Sequence, residues 1–494
     1  MGPILAIPPF PGARASALAS SRSTGSADHQ LLLAALAKHR VGGCYWGRQV
    51  AGPAVLDPGS WPDDADPWPL LDGASEVRLP AGDPRAVLAL AAGKPLRFTG
   101  GEKVDGHALV EDHLASWDWR DPFSGARITP LQAIELCGFW RRLIDSNRSI
   151  KAALGFAHWK RPTVAPLLWN GGGTPFRRGV PALAAGDVVA VWRSRLSGAQ
   201  AAAVVGHPVR EVEDGFIRSA GLGADCVPPL SILVDGMGAH FDPNQPSALE
   251  DLLQRGVFPP DLLARAQALR EAIVAGGLSK YERGGTAVLP RRGGARRHVL
   301  VPGQVEDDRA VTSGGALASN LELLRRARAE AGPRAFVIYK PHPDVLAGHR
   351  KGLIGDADMA VLADHVETTA PMAALIAMAD ELHVNSSLAG FEALLRGKPV
   401  TVHGVPFYAG WGLTTDRGPV PARRTARRTL DELVAAAYLL YPRYLDPESG
   451  LPCPAEVLVQ RLVAAAPTLK PAASAVVAVR RASGRVRRLL RQEW

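Results

Sequence analysis

The 494-residue chain has few cysteines, no long hydrophobic run and fewer acidic than basic residues. Its four cysteines stand far apart, with no CxxC pair among Cys44, Cys137, Cys226 and Cys453. This spacing indicates neither a disulfide framework nor a zinc site, and it is typical of a reducing compartment.

Hydrophobic residues make up 47% of the chain, but they are dispersed. No uninterrupted apolar run reaches the ~18–20 residues of a membrane-spanning helix. The first residues, "MGPILAIPPFPGARAS", are interrupted by prolines and lack the basic start and long apolar centre of a signal peptide. We therefore expect a soluble globular protein in which residues 1–30 are disordered or loosely attached.

Acidic residues number 48 against 57 lysines and arginines, which gives a formal net charge of +9. An excess of positive charge suits a polyanion or an anionic membrane as a partner. A genomic bias toward arginine also produces such an excess, so the charge alone does not choose a partner.

Strand and helix patterns alternate along the chain. Apolar stretches that run into Gly, Pro, Ser or Asn predict strands at 186–195, 298–304, 335–343, 381–387 and 398–404. Apolar spacing near 3.6 and a closing glycine predict helices at 318–332 and 387–397. Alternating strands and helices predict parallel, doubly wound sheets.

From these patterns we predict an α/β fold with two Rossmann-like lobes and a cleft between them. The predicted parts are an N-terminal extension (1–118), an N-terminal lobe (119–290), a C-terminal lobe (291–425), C-terminal helices (426–470) and a basic tail (471–494). The segment 278–297, rich in Gly and Arg, is expected to be the hinge between the lobes.

Two short stretches recur within the chain. "GKPLRFTG" (93–100) matches "GKPVTVHG" (397–404), and "WRDPFSGARITPLQAIEL" (119–136) matches "YLDPESGLPCPAEVLVQRL" (444–462) around Asp-Pro-x-Ser-Gly. The echo indicates that residues 1–118 are the end of a duplicated module that lacks the polar motifs of the second copy. Chance similarity is the alternative at these lengths.

Polar clusters follow four of the predicted strands. In "FVIYKPHPDV" (336–345) a buried strand ends in Lys340 and His342, each followed by a proline that stiffens the backbone. Ligands bind at the carboxyl ends of strands in open α/β sheets. The alternative is an ordinary strand exit with a solvated lysine and a surface histidine.

The other three clusters are Glu213-Asp214 with Arg218, Gln304 with Glu306-Asp307-Asp308, and Asn385-Ser386-Ser387. Adjacent carboxylates have pKa values that are pushed apart and serve as acid and base, or they form a turn paired with the arginine. Three successive acids are typical of a metal site that holds a nucleotide diphosphate, or of a solvated turn. Serines at a helix start bind an anion, or simply cap the helix.

Taken together, the clusters predict one site. A phosphate is expected on the helix start at Ser386 and Ser387, with His342 approaching from the neighbouring strand. Glu392, on the following helix, is placed to hold ribose hydroxyls, and Asp214 is expected to face the site across the cleft. This arrangement indicates a transferase with an activated nucleotide donor.

These motifs resemble those of a known family. "EDG" at 213–215, "HP" at 342–343 and "SS" at 386–387 are similar, in order, to the motifs of bacterial CMP-sugar transferases of the GT-B type. Longer stretches resemble the capsular polysaccharide β-Kdo transferases (Kdo is 3-deoxy-D-manno-oct-2-ulosonic acid): residues 213–235, 301–308, 339–352, 388–400 and 406–416. The resemblance covers about residues 119–465 and is to the C-terminal module of relatives that carry two modules.

The resemblance implies transfer of Kdo from CMP-β-Kdo to a Kdo-terminated glycolipid in capsular polysaccharide linker synthesis, with retention by double displacement. It implies Asp308 as the nucleophile, Asp214 as the general base and Glu213 as its support. The expected substrate-binding residues are His342, Lys340, Pro343, Ser386, Ser387, Glu392, Gln304 and Arg218. Fixed donors can stabilise a monophosphate leaving group, so no metal ion or other cofactor is expected.

The implied partners are CMP-Kdo, a glycolipid acceptor, an anionic membrane surface and capsule assembly proteins, but no nucleic acid. The implied location is cytoplasmic, peripheral at the inner face of the cytoplasmic membrane. Two alternatives stay open: another CMP-sugar transferase, such as a sialyltransferase, and a non-catalytic capsule assembly or polysaccharide export protein.

The C-terminal stretch "VVAVRRASGRVRRLLRQEW" (476–494) holds six arginines and one acid. Each basic residue near an anionic membrane contributes about 1 kcal/mol. We predict that the full chain sediments with anionic vesicles, that a chain ending at Ala475 does not, and that added salt weakens the binding. The alternative is a solvated basic tail; it is correct if both chains sediment equally, or if neutral and anionic vesicles bind equally.

Overall fold

The computed structural model describes residues 2–15, 17–22, 27–101, 105–173, 175–177, 179, 182–219, 227–280, 288–348 and 350–464. The basic tail predicted at 471–494 lies outside these residues. The chain forms two compact units. The first unit is Met1–Leu154, Arg161–Val189 and Leu445–Pro452, and the second unit is Gly155–Lys160, Ala190–Tyr444 and Cys453–Trp494.

The strands are β1 (Ala19–Arg22), β2 (Val55–Leu56), β3 (Glu76–Leu79), β4 (Leu96–Phe98), β5 (Trp117–Arg120), β6 (Arg127–Ile128), β7 (Ile150–Leu154), β8 (Val188–Val191), β9 (Val209–Asp214), β10 (Ser231–Asp235), β11 (His298–Pro302), β12 (Phe336–Lys340), β13 (His365–Val366), β14 (Glu381–Val384), β15 (Val400–Val402), β16 (Thr415–Asp416), β17 (Pro442–Leu445) and β18 (Pro452–Cys453).

The α-helices are α1 (His29–His39), α2 (Pro67–Gly73), α3 (Arg85–Ala91), α4 (Gly106–Val110), α5 (Pro130–Asn147), α6 (Arg161–Val164), α7 (Gly198–Ala203), α8 (Ala248–Arg255), α9 (Pro260–Ala275), α10 (Arg309–Gly314), α11 (Asn320–Ala331), α12 (Pro343–Leu346), α13 (Asp356–Leu362), α14 (Met372–Met378), α15 (Leu388–Leu395), α16 (Leu430–Val434) and α17 (Ala455–Ala464). Across the described part of the chain, no helix combines the length and the apolar character that crossing a membrane requires.

Residues near the N-terminus belong to the core of the first unit. Ile4, Leu5 and Phe10 are at most 5% exposed, and the Phe10 ring lies edge-on to Trp140 and Trp169, with centroids 6.2 and 5.0 Å away. The expectation that residues 1–30 are loose is therefore wrong for the described part of that segment. Prolines remove any periodicity, yet an extended segment still gains free energy by burying apolar side chains.

The first unit contains local structures that occur again later in the chain. Gly93 and Gly397 each follow a helix, and both glycines have the left-handed backbone conformation, with φ of 65° and 67°. Gly125 and Gly450 close the two Asp-Pro-x-Ser-Gly turns, both with φ of 72°, and each donates its N–H to the aspartate carbonyl four residues earlier, at 2.8 and 2.9 Å. The sequence echo thus has a counterpart in local structure, while the origin of residues 1–118 as a module remnant stays a prediction.

A six-stranded parallel sheet dominates the second unit. Its order is β13-β12-β11-β14-β15-β16, and every neighbouring pair is parallel. The strands predicted at 298–304, 335–343, 381–387 and 398–404 are confirmed as β11, β12, β14 and β15, and the helices predicted at 318–332 and 387–397 are confirmed as α11 and α15. Strands covered on both faces are apolar throughout, which made them visible in the sequence.

Strand β9, which carries the Glu213-Asp214 motif, and its neighbours are not arranged in parallel. β10 pairs antiparallel with both β9 and β17. The prediction of a parallel sheet is therefore wrong for these three strands. Parallel neighbours need a crossover, usually a helix, and the described residues between β9 and β10 contain none.

The compact units divide the chain at positions other than the predicted boundaries, 118/119 and 290/291. Helix α5 belongs to the first unit, where Ile134, Cys137 and Trp140 are buried in the core. The Trp140 indole donates to the carbonyl of Pro452, 312 positions later, at 2.9 Å. A change in composition along the chain does not reveal contacts between segments so far apart in sequence.

A buried ion pair holds the loop that follows β15. The Arg424 side chain is 2% exposed, and its Nε donates to the Glu250 carboxylate at 2.8 Å. Its Nη1 donates to the carbonyls of Pro406 and Ala409 at 2.8 and 3.0 Å. Glu250, on α8, is itself buried. Removal of Glu250 would therefore leave the buried Arg424 charge without a carboxylate partner, whereas removal of Arg424 would leave Glu250 paired with Arg423.

We predict that Glu250→Ala lowers the free energy of unfolding by about 3–5 kcal/mol, the usual effect of removing one partner of a buried ion pair. Urea unfolding measures the change. Glu322→Ala, which removes an exposed partner of Arg326, is the control and changes stability by about 0.5 kcal/mol or less. A Glu250 variant as stable as the control would show that the loop does not depend on this pair.

Candidate active site

The candidate site lies where the strand order of the parallel sheet reverses. β11 has β12 on one side and β14 on the other, and the crevice at the carboxyl ends of such strands is where open α/β sheets bind ligands. Gln304 follows β11 and Ser386 follows β14. The Ser386 N–H donates to Gln304 Oε1 at 2.9 Å, and Gln304 Nε2 donates to Ser386 Oγ at 3.2 Å.

A cavity of about 260 Å³ opens at this crevice. The predicted residues that line it are Gln304, Asp308, His342, Ser386 and Ser387. Sequence analysis missed its other charged or imidazole side chains, which are His240, Lys280, Asp344 and Arg350. It also missed an aromatic wall, in which the rings of Phe216 and Phe407 stack with centroids 4.6 Å apart.

His342 is held by the short helix α12. Its Nδ1 accepts from the Asp344 N–H at 3.1 Å, so the proton of the neutral ring is on Nε2. Burial lowers the pKa of His342, although the carboxylates of Asp344 and Asp308 oppose the shift. The ring is therefore a neutral hydrogen-bond donor at neutral pH rather than a cation.

Ser386 and Ser387 stand immediately before α15. Ser387 caps the helix, since its Oγ accepts from the Ala389 N–H at 3.2 Å, while Ser386 Oγ donates to the Ala310 carbonyl at 2.9 Å. The first N–H groups of a helix have no partner within it, and together with the helix dipole they favour an anion. This helix begins at the cavity wall.

The acidic run 306–308 does not converge on one point. Glu306 Oε1 accepts from the Asn320 N–H at 2.8 Å, Asp307 accepts from Arg350 Nε at 3.1 Å, and Asp308 caps α10. The three carboxylates thus have different partners and do not form a metal cluster as they are arranged. Asp308 lines the cavity, and about half of its side chain is exposed.

The remaining predicted binding residues are not part of the cavity wall: Lys340, Pro343, Glu392 and Arg218. Lys340 is buried, and its Nζ donates to the Ala370 carbonyl at 2.8 Å. Glu392 is also buried, and its Oε1 accepts from the backbone N–H of Lys280 at 2.8 Å. Glu392 therefore fixes the backbone of a residue that does line the cavity.

Strand β9 presents its carboxylates on two faces. Glu211 and Glu213 both accept from Arg309 Nη1, at 3.0 Å for Glu213. Asp214 points to the other face, where Lys160 Nζ and Arg218 Nε lie 3.1 and 3.0 Å from its oxygens. The two-residue period of a strand imposes this separation. Neither Glu213 nor Asp214 is among the residues that line the cavity.

The two neighbouring carboxylates have opposite pKa shifts. Burial, followed by the charge of Glu211, raises the pKa of Glu213 to about 7, against the opposing charge of Arg309. Burial also disfavours ionisation of Asp214, but the charges of Arg218, Lys160 and Lys280 outweigh it and lower the pKa of Asp214. Glu213 therefore titrates near neutral pH, and Asp214 stays ionised there.

Three basic residues of the site escaped the sequence analysis. Arg309 directly follows Asp308 and reaches β9, and Arg350 lies 3.9 Å from the Asp308 carboxylate. Arg350 lies within, and Arg309 directly after, a stretch that resembles the family. Because a cluster of acids requires cations nearby, these two arginines could have been predicted as site residues from the sequence. Lys280 had no such signal, because its segment was interpreted as a hinge.

The cavity thus joins groups suited to an anion with a group suited to nucleophilic attack. A helix start, a neutral histidine donor and two basic side chains can hold a phosphate or carboxylate. The Asp308 carboxylate, exposed to the cavity, can attack an electrophilic carbon. The aromatic wall can pack against a planar ring or the apolar face of a sugar.

The family model for capsule polysaccharide biosynthesis proteins matches residues 187–289 and 286–444. The lipopolysaccharide-processing protein LpsZ of Rhizobium meliloti is 49% identical over 241 residues, which is 48% of this chain and 54% of LpsZ. The capsule polysaccharide modification protein LipA of Neisseria meningitidis serogroup B is 44% identical over 257 residues, which is 52% of this chain and 36% of LipA. The chain thus matches about half of LpsZ and about a third of LipA.

Two solved structures of KpsC from Thermosulfurimonas dismutans are also similar. The β-Kdo 2,4 transferase is 35% identical with a TM-score of 0.50, over 58% of this chain and 90% of that chain. The β-Kdo 2,7 transferase is 37% identical with a TM-score of 0.46, over 56% and 85%. The family model spans more than half of this chain and includes all the cavity-lining residues. The chain therefore belongs to the capsule polysaccharide biosynthesis protein family, which confirms the resemblance drawn from its motifs.

Proposed function

We propose that this chain is a retaining glycosyltransferase that moves Kdo from CMP-β-Kdo to a Kdo-terminated glycolipid in capsular polysaccharide linker synthesis. The observation that carries the proposal is the single cavity in which Asp308, His342, Ser386 and Ser387 meet. Further support comes from a KpsC structure described as a β-Kdo 2,4 transferase, 35% identical over 90% of its length.

The proposed architecture is the two-lobed GT-B type, within the second unit. The parallel sheet carries the donor site, and the β9, β10 and β17 strands form the acceptor side. Arg309 supports this pairing of roles, because it extends from α10 beside Asp308 to the carboxylates of Glu211 and Glu213.

The donor phosphate is proposed to rest at the start of α15, with His342 Nε2–H as a further donor. Lys280 and Arg350 supply positive charge in the same cavity for the phosphate of CMP and the carboxylate of Kdo. CMP departs as a phosphate monoester, and fixed donors can stabilise its charge as it develops. This account needs no metal ion or other cofactor.

The proposed reaction has two displacements. An Asp308 oxygen attacks the anomeric carbon of Kdo, a C–O bond forms, and the bond to the phosphate oxygen breaks so that CMP leaves with the electron pair. An acceptor hydroxyl then attacks the same carbon, its proton passes to a general base, and the ester bond to Asp308 breaks. Two inversions restore the β configuration.

The general base is proposed to be one of the two adjacent carboxylates of β9. The family resemblance implies Asp214, with Glu213 in support. The reverse assignment, with Glu213 as the base and Asp214 in support, is favoured by the pKa of Glu213, which is about 7. A general base works best when its pKa is near the operating pH. Asp214 lies between two cations, which makes it a weaker proton acceptor.

The acceptor is proposed to be a glycolipid at the inner face of the cytoplasmic membrane, where the chain acts peripherally with capsule assembly proteins. The direct test supplies CMP-Kdo, generated in situ, and synthetic Kdo-terminated acceptors, and then determines the product linkage. Turnover of CMP-sialic acid but not of CMP-Kdo would favour a sialyltransferase. Turnover of neither donor would favour a non-catalytic role in capsule assembly or export.

Asp308→Asn should abolish transfer and leave the fold intact, because asparagine caps a helix as well as aspartate does but lacks the nucleophilic charge. Wild-type protein incubated with donor alone should show a Kdo adduct on the peptide that contains Asp308, as measured by mass spectrometry. Asp358→Asn, which alters an exposed acid paired with Arg325 away from the cavity wall, should retain activity. An adduct on the peptide that contains Asp214 would overturn the assignment.

His342→Ala should weaken CMP binding by roughly tenfold to a hundredfold, since it removes a hydrogen bond at a charged phosphate, about 1.5–3 kcal/mol. Ser386→Ala should also weaken CMP binding, because it breaks the hydrogen bonds to Gln304 and Ala310 that fix the helix start. Calorimetric titration with CMP measures the loss. His365→Ala and Ser319→Ala, which lie outside the cavity wall, are the matched controls. Equal CMP affinity in all four variants would remove His342 and Ser386 from the proposed phosphate site.

If Glu213 is the base, kcat/KM should rise as pH increases through about 7 and then level off, because a base must be deprotonated and the pKa of Glu213 is about 7. Glu213→Gln should remove this rise together with most of the activity, whereas Asp214→Asn should keep the rise. A wild-type profile that is flat between pH 6 and 8 would assign the base to Asp214, whose pKa is lowered.

A further inference from the structure

Three side chains that could coordinate a metal ion lie together in the second unit, apart from the proposed donor site. Glu330, near the end of α11, His383, on β14, and His403, just after β15, each offer one atom, and these atoms lie within 4.8 Å of one another. None of the three lines the cavity. The His383 and His403 side chains are almost fully buried, while Glu330 is on the surface side.

The two imidazoles approach each other nitrogen to nitrogen. His383 Nδ1 and His403 Nε2 are 3.2 Å apart. Two nitrogens bound to one tetrahedral zinc ion at about 2.0–2.1 Å would lie roughly 3.3 Å apart.

Neighbouring groups are arranged as partners of metal ligands usually are. His383 Nε2 lies 3.6 Å from Glu381 Oε1, the carboxylate contact that commonly orients a ligating imidazole. Arg417 donates both of its contacts to Glu330 Oε1. Among the described residues, none donates a hydrogen bond to the second oxygen of Glu330, Oε2, so this oxygen can serve as a metal ligand.

A simple hydrogen bond between the two histidines is the competing explanation. It would satisfy one nitrogen of each ring, but His403 Nδ1 stays buried without a hydrogen-bond partner among the described residues. A buried polar network left partly unsatisfied is costly. This nitrogen has no partner whether or not an ion binds His403 Nε2, so the feature that favours a metal site is the third ligand atom, from Glu330, within 4.8 Å of the two imidazole nitrogens.

We propose that Glu330, His383 and His403 bind a divalent transition-metal ion, with Zn²⁺ as the first candidate. Two imidazoles and one carboxylate form a donor set that suits zinc, and three protein ligands leave a fourth position for water. The bound ion joins helix α11 to the neighbouring strands β14 and β15, and so its role is to stabilise the parallel sheet.

The test uses the full chain without a histidine tag, treated with a chelator and then titrated with Zn²⁺ by calorimetry and with Co²⁺ by absorption spectroscopy. We expect one ion per chain, cobalt bands of a tetrahedral complex, and a higher unfolding temperature with Zn²⁺, because a ligand that binds the folded state stabilises it. His383→Gln and His403→Gln should each weaken binding by at least about tenfold.

His365→Gln is the matched control, since His365 pairs with Glu367 at 3.2 Å without belonging to the ligand group. It should bind zinc as the wild type does. Glu330→Gln, on the surface side, keeps the histidine pair and should weaken binding even if the histidine variants do not fold. The proposal fails if the wild type shows no saturable binding, or if Glu330→Gln and the control bind zinc equally.

Discussion

The hydrogen bonds between Gln304 and Ser386 hold the candidate site together. They join the two strand ends at which the order of the parallel sheet reverses. Ser386 is also bonded to the carbonyl of Ala310, and the Gln304 N–H donates to Asn320 Oδ1 at 2.8 Å. The starts of α10, α11 and α15 are therefore fixed relative to one another. The proposed nucleophile, at the start of α10, and the proposed anion site, at the start of α15, keep a constant separation because of this connection.

Charge at the site is balanced by position rather than by number. Arg309 contacts the acids of β9, and Arg350 contacts the acids of the 306–308 run. The two arginines therefore reduce the repulsion among neighbouring carboxylates, each for a different part of the cluster. Lys280 reaches the cavity on a backbone that Glu392 holds. A buried carboxylate outside the cavity thereby determines where a cation stands inside it, which a count of charges in the sequence does not show.

The parallel sheet and its polar strand ends could be predicted from the sequence, because β11, β12 and β14 are apolar runs that stop at characteristic residues. Gln304, Asp308, His342 and Ser386 follow these runs, and so their meeting at one crevice was predictable too. His240 and Lys280 come from loops whose course depends on tertiary packing, which leaves no local pattern. The antiparallel pairing of β9 and β10 was not predicted for a related reason. The relative direction of two strands is determined by the segment that connects them and not by the strand sequences.

Strand β9 places Glu213 and Asp214 in unlike surroundings only because neighbouring residues of a strand face opposite ways. Deletion or insertion of a single residue upstream in this strand would exchange the two surroundings without altering either amino acid. The acid that titrates near neutrality would then be the aspartate, on the face of Arg309, and the glutamate beside it would be held ionised by Lys160 and Arg218. With the general base on β9, as proposed, the pH range in which this chain works would shift through a change in strand length alone, a change that position-by-position comparison of residues would overlook.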